Sequence, residues 1–324
     1  MNVIVEREKM LLELEERIAA LSKSKESPEL STPIQELADK YAQIQREIFG
    51  SMTPWQRVNM ARHPKRPISG DYLAELDTFD ELHGDRRYRD DPSVVGGFAK
   101  LRGRRVIVIS QQKGRDVKEN VHRNCGMVSP EGYHKVVRLV DLAAHLDLPV
   151  VTFIDTAGAD PGIASEEHAQ SEAIADTLAT FADARVPIVA TIVGEGGSGG
   201  ALALGLADWV VMLEHSVYSV ASPEGCAAIL WNDSAKAEEA AGRLRLTSDD
   251  LYAFGIIDQI VPEPIGGAHR DPAATIARVL DAIDVALTRL AALPRPALLD
   301  DRYAKYRRIG SWHDETLGLI AAQA

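Results

Sequence analysis

Glycine is concentrated in one short stretch of the chain. Residues 194–200 read GEGGSGG, and five of these seven residues are glycines. An apolar run at 187–193 precedes them and a run of small residues follows at 200–207, which predicts a strand, a tight turn and a helix. Glycines let a ligand approach the backbone closely, and the free N–H groups at a helix start point toward one spot. The stretch therefore predicts a site for an anion, either a phosphate or an oxygen that gains negative charge.

A dinucleotide-binding motif also matches this stretch. Gly194, Gly196 and Gly199 satisfy G-x-G-x-x-G, and Glu214 lies twenty residues beyond the first of them. However, the predicted helix at 200–207 is short for a Rossmann crossover. The motif also stands deep in the chain instead of following the first strand of a β-α-β unit. Both features count against nucleotide binding.

The same residues contain the G-x-S-x-G pattern of a nucleophile elbow. Ser198 would be the nucleophile, with His215 or His269 as its base. Asp258 would be the acid that orients the histidine. A chain of this length supplies such a trio by chance, so the pattern has weak specificity.

A third interpretation gives no covalent role to any side chain. The backbone N–H groups of Gly199 and Gly200 would form an oxyanion hole, which explains why glycines flank the serine on both sides. The structural alternative is a tight strand-to-helix turn without a ligand, but such a turn needs fewer glycines than are present.

Composition narrows the class of protein. The 324 residues carry a net charge of −12, which argues against a nucleic-acid partner. The two cysteines, Cys125 and Cys226, form no C-x-x-C pair, so the chain alone cannot make a zinc ribbon, and we expect both to be packed as small apolar residues. The chain shows neither the apolar core of a signal peptide nor an apolar stretch of membrane-spanning length. We expect a cytoplasmic protein that makes no membrane contact.

The order of predicted elements is that of an α/β protein. Strands are expected at 94–101, 106–110, 149–155, 187–193, 209–213 and 217–220, and helices at 130–146, 164–184, 200–207 and 271–293. This core, residues 94–270, follows an irregular linking segment at 51–93 and precedes C-terminal helices at 271–324. Helical periodicity at 3–23 and from residue 32 to 49 predicts an N-terminal helical arm, 1–50. The arm would either mediate oligomerisation or lie on its own domain.

Ten short motifs between residues 55 and 269 point to one family. By these motifs the chain resembles the carboxyltransferase alpha subunit of bacterial and plastid multi-subunit acetyl-CoA carboxylase. They are ARHP at 61–64, FDEL at 79–82, GDRRYRDD at 84–91, QKGR at 112–115, PEGY at 130–133, FIDT at 153–156, QSEAIA at 170–175, GEGGSGGA at 194–201, YSVASPEGC at 218–226 and PEPIGGAH at 262–269.

The resemblance implies a fold, a reaction and partners. The fold would be a crotonase-like spiral of β-β-α units. The reaction would move a carboxyl group from carboxybiotin, on a biotin carboxyl carrier protein, to acetyl-CoA and give malonyl-CoA for fatty acid biosynthesis. The partners would be a zinc-ribbon-bearing beta subunit in an alpha2beta2 particle, the carrier and biotin carboxylase. Biotin and the coenzyme A thioester would be substrates of this chain, with no bound cofactor or metal.

The resemblance also implies roles for the glycine stretch. Gly199 and Gly200 would stabilise the ureido oxygen of biotin, and paired glycines of the beta subunit would stabilise the thioester enolate. Gly196, Gly197 and Ser198 would contact biotin or substrate. The freed ureido nitrogen would act as the base, so we expect no side-chain base here.

Charged residues near the predicted strand ends are further candidates. Lys113 and Arg115 flank a glycine and would contact coenzyme A phosphates or the carrier, the alternative being a solvated loop. The basic segment 62–66 is expected to make surface or subunit contacts. Asp155 would either cap the turn after its strand, which is the favoured role, or face the site. Glu195 would be a hydrogen-bond acceptor near the site instead of a base.

One loop departs from the family. Where the family usually reads TPGAYPG, residues 156–162 read TAGADPG, so that Ala157 replaces a proline and Asp160 a tyrosine. We expect Gly158 and Asp160 to lie at the substrate site, because loops after strands carry ligand residues. His168 replaces a usual arginine further on, and Gln111 a usual histidine. The changes indicate neutral drift or a paralogue, which would serve another acyl-CoA, belong to a carboxylase of a specialised pathway, or run decarboxylation.

Two other functions remain open from the sequence. A stand-alone crotonase-like hydratase or isomerase would need its own base, for which Glu195 or Glu224 could serve. A non-catalytic assembly partner would have lost its chemistry through the altered loop.

Overall fold

The computed structural model describes residues 11, 13, 15–18, 20, 31–310, 312–314 and 319–321. The described residues between 11 and 20 are helical, whereas most of the first predicted arm helix lies outside the described part. The strands are β1 (Thr78–Glu81), β2 (Val94–Leu101), β3 (Arg104–Gln111), β4 (Val150–Thr156), β5 (Ile188–Gly197), β6 (Trp209–Leu213), β7 (Val217–Ser219), β8 (Gln259–Val261), β9 (Trp312–Asp314) and β10 (Leu319–Ala321). The α-helices are α1 (Ser31–Phe49), α2 (Pro54–Ala61), α3 (Ser69–Ala74), α4 (Val117–His122), α5 (Pro130–Leu146), α6 (Ile163–Glu167), α7 (Gln170–Asp183), α8 (Ser198–Gly205), α9 (Pro223–Trp231), α10 (Ala237–Leu244), α11 (Ser248–Ala253), α12 (Pro272–Ala291) and α13 (Arg295–Arg307).

An eight-stranded sheet organises the chain. Its strands follow the order β1-β2-β3-β4-β5-β6-β8, and β7 pairs with the far end of β5. β1 to β3 are antiparallel, and from β3 onward every pairing is parallel. The α/β architecture predicted from the sequence is thereby confirmed.

Apolar side chains cover both faces of the sheet. Along β3, Ile107 and Ile109 pack into the core shared with α5, α7 and α8, while Val106 and Val108 pack into the core shared with α3 and α12. All seven residues of β4 are buried. A strand covered on both faces must be mostly apolar, which is why Val, Ile, Phe and Ala dominate β4 and the first six residues of β5.

Several local predictions are corrected. The predicted helix 164–184 is two helices, α6 and α7, because Ala169 adopts a left-handed φ of 61° between them. The segment 51–93 is not irregular but contains α2, α3 and β1. The C-terminal region is not helical to its end, since β9 and β10 pair antiparallel. Cys125 is exposed and Cys226 partly exposed, so the expectation of two buried cysteines is wrong.

The described part of the chain has no helix long and apolar enough to cross a membrane. The helix α1 packs on its own chain, where Phe49 joins Leu11 and Met60 in a small apolar cluster. This agrees with an arm that lies on its own domain, and its role in oligomerisation stays a prediction.

Arg302 fixes α13 at the amino ends of the parallel strands. Its guanidinium binds both carboxylate oxygens of Asp208, at 2.7 and 2.8 Å, and donates to the carbonyls of Phe181, Ala184 and Val186. Arg302 and Asp208 are both nearly fully buried. Such a pair holds elements together because each buried charge depends on its partner.

Replacing Arg302 should therefore be costly. We expect Arg302→Ala to lower the free energy of unfolding by about 3–5 kcal/mol, because Asp208 is left as a buried charge without its cation. Urea unfolding followed by circular dichroism measures this, with the exposed Arg307→Ala as the matched control on the same helix. Equal stability of the two variants would contradict the assignment.

Candidate functional site

The glycine stretch forms the turn between β5 and α8, at the carboxyl ends of the parallel strands. The helix begins at Ser198, whose φ of 52° lies in the left-handed region. Its N-cap, Gly197, has no side chain that could bind the first N–H groups. The N–H groups of a helix's first turn have no partner within the helix, so those of Gly199 and Gly200 can bind a ligand. A strained residue at such a turn is typical of functional sites.

The turn lies against the loop that follows β4. A Cβ on Gly200 would lie 2.4 Å from the carbonyl carbon of Gly158, and one on Gly197 would lie 2.1 Å from the Ala157 oxygen. By contrast, the nearest atom to a Cβ on Gly199 is in Ile174, at 3.5 Å. Gly197 and Gly200 are thus required for close backbone approach, while a Cβ on Gly199 would make only an ordinary van der Waals contact. The predicted site residue Gly158 is brought to the turn by this contact.

Beside the turn, β5 bulges away from β4. Ile154 pairs with Ile192, whereas Thr156 pairs with Gly196, so β5 has two more residues than β4 between these pairs. Asp155 of β4 therefore lies opposite three residues of β5, 193–195. A bulge of this kind takes backbone groups out of the ladder, and these groups need other partners.

Two side chains supply those partners. Asp155 Oδ1 accepts the Glu195 N–H at 3.0 Å, and Arg66 Nε donates to the Val193 carbonyl at 2.8 Å. Between them Gly194 leaves the necessary room, because a Cβ there would lie 2.4 Å from Asp155 Oδ1. The prediction that Asp155 caps its own turn is wrong, since its carboxylate serves the neighbouring strand.

A chain of alternating charges surrounds Glu195. Lys113 Nζ lies 2.8 Å from Asp155 Oδ1 and 2.8 Å from Glu195 Oε2. Arg62 binds the other oxygen of Glu195 at 2.6 Å and Glu224 at 2.6 Å. Glu195 is thereby held from two sides, and Lys113 joins the carboxyl ends of β3, β4 and β5.

The charges of this cluster decide its protonation. Burial disfavours the ionised carboxylate of Glu195, but the Lys113 and Arg62 charges outweigh it and hold its pKa at about 2. Burial likewise opposes the charged form of Lys113, yet attraction to Asp155 and Glu195 raises its pKa. Glu195 is thus an ion-paired carboxylate and a weak proton acceptor, which disfavours it as a general base. Glu224, the other base considered, is bound by Arg62.

A second cluster joins the ends of β5, β6 and β8. Arg66, 3% exposed, binds both oxygens of Glu263 at 2.6 and 2.9 Å and also donates to Ser216. Burial opposes ionisation of Glu263, but the charge of Arg66 lowers its pKa. The two clusters together fix the strand ends that carry the glycine turn.

The expectation of surface contacts by the basic segment 62–66 is wrong for the buried His63 and Arg66, and a subunit contact by the segment stays a prediction. Arg62 and Arg66 are ion-paired within the chain, and the buried ring of His63 stacks on His269 at 3.8 Å. Pro64 and Lys65 are exposed, and Arg62 is partly exposed. The sequence could have indicated these ion pairs. Glu195 and Glu263 each follow an apolar run, and a carboxylate buried at the end of a strand requires a cation beside it.

The two predicted phosphate contacts separate in the structure. Lys113 turns inward to the cluster, whereas Arg115 is exposed and pairs with Asp71. Their contact with substrate phosphates stays a prediction.

The loop that departs from the family is closed by its own hydrogen bonds. Asp160 accepts the Gly162 N–H at 3.1 Å and the Ser165 hydroxyl at 2.5 Å, so its carboxylate organises the start of α6. His168 Nδ1 lies 2.5 Å from Glu131 Oε1. Burial opposes ionisation of Glu131, but the bond to His168 helps hold its pKa at about 2. The substituted residues thus have structural partners, and substrate contact by Asp160 stays a prediction.

The trio required by a nucleophile elbow is not assembled around Ser198. Asp258 accepts the Val210 N–H at 2.7 Å, at the amino end of β6 and thus at the opposite end of the sheet, and it binds Lys305. The buried His215 belongs to the cluster of Glu263, whose carboxylate accepts the backbone N–H of His215 at 3.0 Å. This placement disfavours acyl-enzyme chemistry at the serine.

Among the described residues, Glu81, His83 and Asp90 hold ligand atoms within 4.8 Å of one another. The buried ammonium of Lys135 already binds Asp90 at 2.9 Å. A protein cation thus occupies this acidic group, and we assign no metal to it.

An apolar cavity of about 440 Å³ opens beside Ser198 and Gly199. Its lining includes Leu202, Val220 and Phe254, and Val220 is 78% exposed. The start of α8 therefore borders a surface that suits the apolar part of a ligand or of a partner protein.

Comparison with known proteins identifies the family. A family model described as acetyl co-enzyme A carboxylase carboxyltransferase-like matches residues 4–310. The chain belongs to this family. An acetyl-coenzyme A carboxylase carboxyl transferase subunit alpha from Sorangium cellulosum is 50% identical over 307 residues, covering 94% of this chain and 97% of the relative. One from Thermus thermophilus is 47% identical over 311 residues, covering 95% and 98%.

Solved structures of carboxyltransferases share the fold of this family member. A transcarboxylase 12S structure with hydrolysed methylmalonyl-coenzyme A bound superimposes with a TM-score of 0.56 at 22% identity, covering 72% of this chain and 45% of that one. A Pseudomonas malonate decarboxylase hetero-tetramer in complex with coenzyme A gives 0.55 at 22% identity, covering 68% and 91%. The crotonase-like fold class expected from the resemblance is thus confirmed.

The close packing of the glycine turn predicts how substitutions change the stability of the protein. Gly200→Ala should destabilise the protein by about 1–3 kcal/mol, because the added Cβ would overlap the backbone of Gly158. In α10 the matched Gly242→Ala, whose Cβ would meet no described atom within 4 Å, should stabilise it by about 0.5–1 kcal/mol. Thermal unfolding of both variants checks this, and a stabilised Gly200→Ala would refute the close contact.

The ion pairs of Glu195 predict a pH effect. Its pKa is about 2 in the fold against an ordinary 4.5, so its stabilising contribution is complete above pH 4.5 and is lost as pH falls toward 2. The variant Glu195→Gln should show a shallower fall in the free energy of unfolding over this window. Urea unfolding at a series of pH values measures it, with the exposed Glu238→Gln keeping the wild-type slope.

Proposed function

We propose that this chain is the alpha subunit of a carboxyltransferase that moves a carboxyl group from carboxybiotin to acetyl-CoA and forms malonyl-CoA. The observation that carries the proposal is near-full-length identity of 47–50% to carboxyl transferase alpha subunits. The N–H groups at the start of α8 would give that activity a physical site.

The reaction requires negative charge to be stabilised twice. The bond between the carboxyl carbon and the ureido nitrogen breaks, and charge develops on the ureido oxygen of biotin. Gly199 and Gly200 would donate their N–H groups to that oxygen. The ureido nitrogen then takes a proton from the methyl group of acetyl-CoA, and the resulting carbanion forms the new bond to the carboxyl carbon. Gly196, Gly197 and Ser198 would shape the turn that admits biotin.

A partner would supply the second oxyanion site. The described residues around the turn include the exposed apolar side chains of Leu202 and Val220, which a beta subunit would cover. We propose a zinc-ribbon-bearing beta subunit in an alpha2beta2 assembly, supplied by biotin carboxyl carrier protein and biotin carboxylase. Of the predicted phosphate contacts, Arg115 keeps an exposed guanidinium that suits coenzyme A.

The proposal is tested by reconstitution. The chain would be combined with a beta subunit, a carrier and biotin carboxylase, and malonyl-CoA formation measured. We expect activity only when both subunits are present. A chain that hydrates an enoyl-CoA by itself would overturn the proposal in favour of a stand-alone enzyme.

Two glycine variants probe the turn within that assay. The Cβ of Gly199→Ala makes only an ordinary van der Waals contact with Ile174, so we expect a folded complex with a modest loss of kcat. The larger side chain of Gly199→Val should obstruct the N–H groups and lower kcat by about 10²-fold or more. Gly242→Ala serves as the control with unchanged kcat. Full activity of Gly199→Val would exclude the turn as the oxyanion site.

The altered loop is tested with a panel of acyl-CoA thioesters. If Asp160 serves only the local bonds to Gly162 and Ser165, wild type should prefer acetyl-CoA, and Asp160→Asn should leave that preference unchanged. A preference for another acyl-CoA that moves toward acetyl-CoA in Asp160→Tyr would instead indicate a specialised paralogue.

A further inference from the structure

We propose that Asp155 is a positioning residue for carboxyl transfer: through the β5 bulge, its carboxylate, held by Lys113, aims the N–H groups of Gly199 and Gly200. The inference rests on the proposed function of the glycine turn. It assigns Lys113 to the support of Asp155 instead of to substrate phosphate.

Asp155 satisfies a donor that the sheet cannot. The bulge removes the Glu195 N–H from the β4 ladder, and Asp155 Oδ1 accepts it at 3.0 Å. Asp155 is 4% exposed, so water cannot readily replace it. Without this acceptor the donor would be left unsatisfied, and the bulge would relax to find another partner.

The bulge is coupled directly to the turn. Glu195 lies three residues before Ser198, and the intervening backbone is extended and paired with β7 through Gly197 and Ser219. A shift at Glu195 is therefore carried along the strand to the start of α8.

Asp155 also controls the opposite wall of the turn. Its own backbone continues into Ala157 and Gly158, the residues against which Gly197 and Gly200 lie. One residue thus fixes both backbone segments that set the direction of the donors. Donor direction matters because misplacement by about 1 Å can cost about 10²-fold in rate.

Lys113 makes the arrangement possible. Two carboxylates, Asp155 and Glu195, lie close together at a buried edge, and like charges there repel unless a cation lies between them. Lys113 contacts both at 2.8 Å, and Arg62 shares Glu195. The lysine thereby keeps Asp155 directed at the bulge.

This role predicts that removing Asp155 changes kcat but not KM. The aimed N–H groups act on charge that develops in the transition state, so misdirecting them lowers kcat and leaves substrate binding unchanged. A lysine that held coenzyme A phosphate would instead raise KM when removed.

The experiment measures kcat and KM for acetyl-CoA and for the carboxylated carrier in the reconstituted complex. We expect Asp155→Ala to lower kcat by about 10²-fold with both KM values within about twofold of wild type. Asp155→Asn, which keeps an acceptor oxygen, should lose less. The matched control is Asp281→Ala, whose carboxylate pairs with Arg102 at the far end of the sheet and whose loss should not change kcat.

A double variant guards against misfolding. Lys113→Met with Asp155→Ala removes one charge of each sign, so no new unpaired charge is buried, and its kcat should fall as far as that of Asp155→Ala. Unchanged kcat in the folded variants, or raised KM with unchanged kcat, would overturn the inference alone. An inactive wild-type complex would overturn the proposed function and this inference with it.

Discussion

The hydrogen bonds displaced by the β5 bulge are the constraint on which the site depends. A buried N–H or carbonyl without a partner is costly, so a bulge inside a covered sheet requires side chains that replace the ladder. Asp155 and Arg66 do this on either side of Gly194. Because both groups are ionised, each needs a counterion, and the ion-pair clusters of Lys113 and Glu263 follow from that need.

Buried ion pairs of this kind specify geometry more than they add stability. Removing two charges from water costs about as much as their attraction returns, but a wrong arrangement leaves a charge unpaired. Lys113 and Arg66 thus select one relative placement of the strands at the carboxyl edge. Arg302 does the same at the amino edge, where it binds Asp208 and four carbonyls. The strand placement is most restricted at the carboxyl edge, because the glycine turn and the loop after β4 must contact each other there.

The altered loop shows how substitutions near a site can be absorbed. Asp160 gives the loop an acceptor for Gly162 and Ser165, and His168 pairs with Glu131. The bonds of Asp160 are local, so the loop can keep Gly158 against the glycine turn without an aromatic side chain at position 160. Asp160 and His168 both have partners within the chain, so neither substitution requires a different substrate.

Much of this protein was determined by its sequence. Apolar runs and glycines specify β4, β5 and the turn before α8, because burial on both faces and close backbone approach leave few alternatives. The strand β6 also has the predicted bounds, residues 209 and 213. The family follows from short motifs. Only the tertiary structure decided which charges meet: Arg62 and Glu195 are 133 residues apart, and no local pattern encodes their contact. The break at Ala169 and the side-chain partners of the bulge were also decided there, since a backbone donor's partner depends on which strand lies beside it.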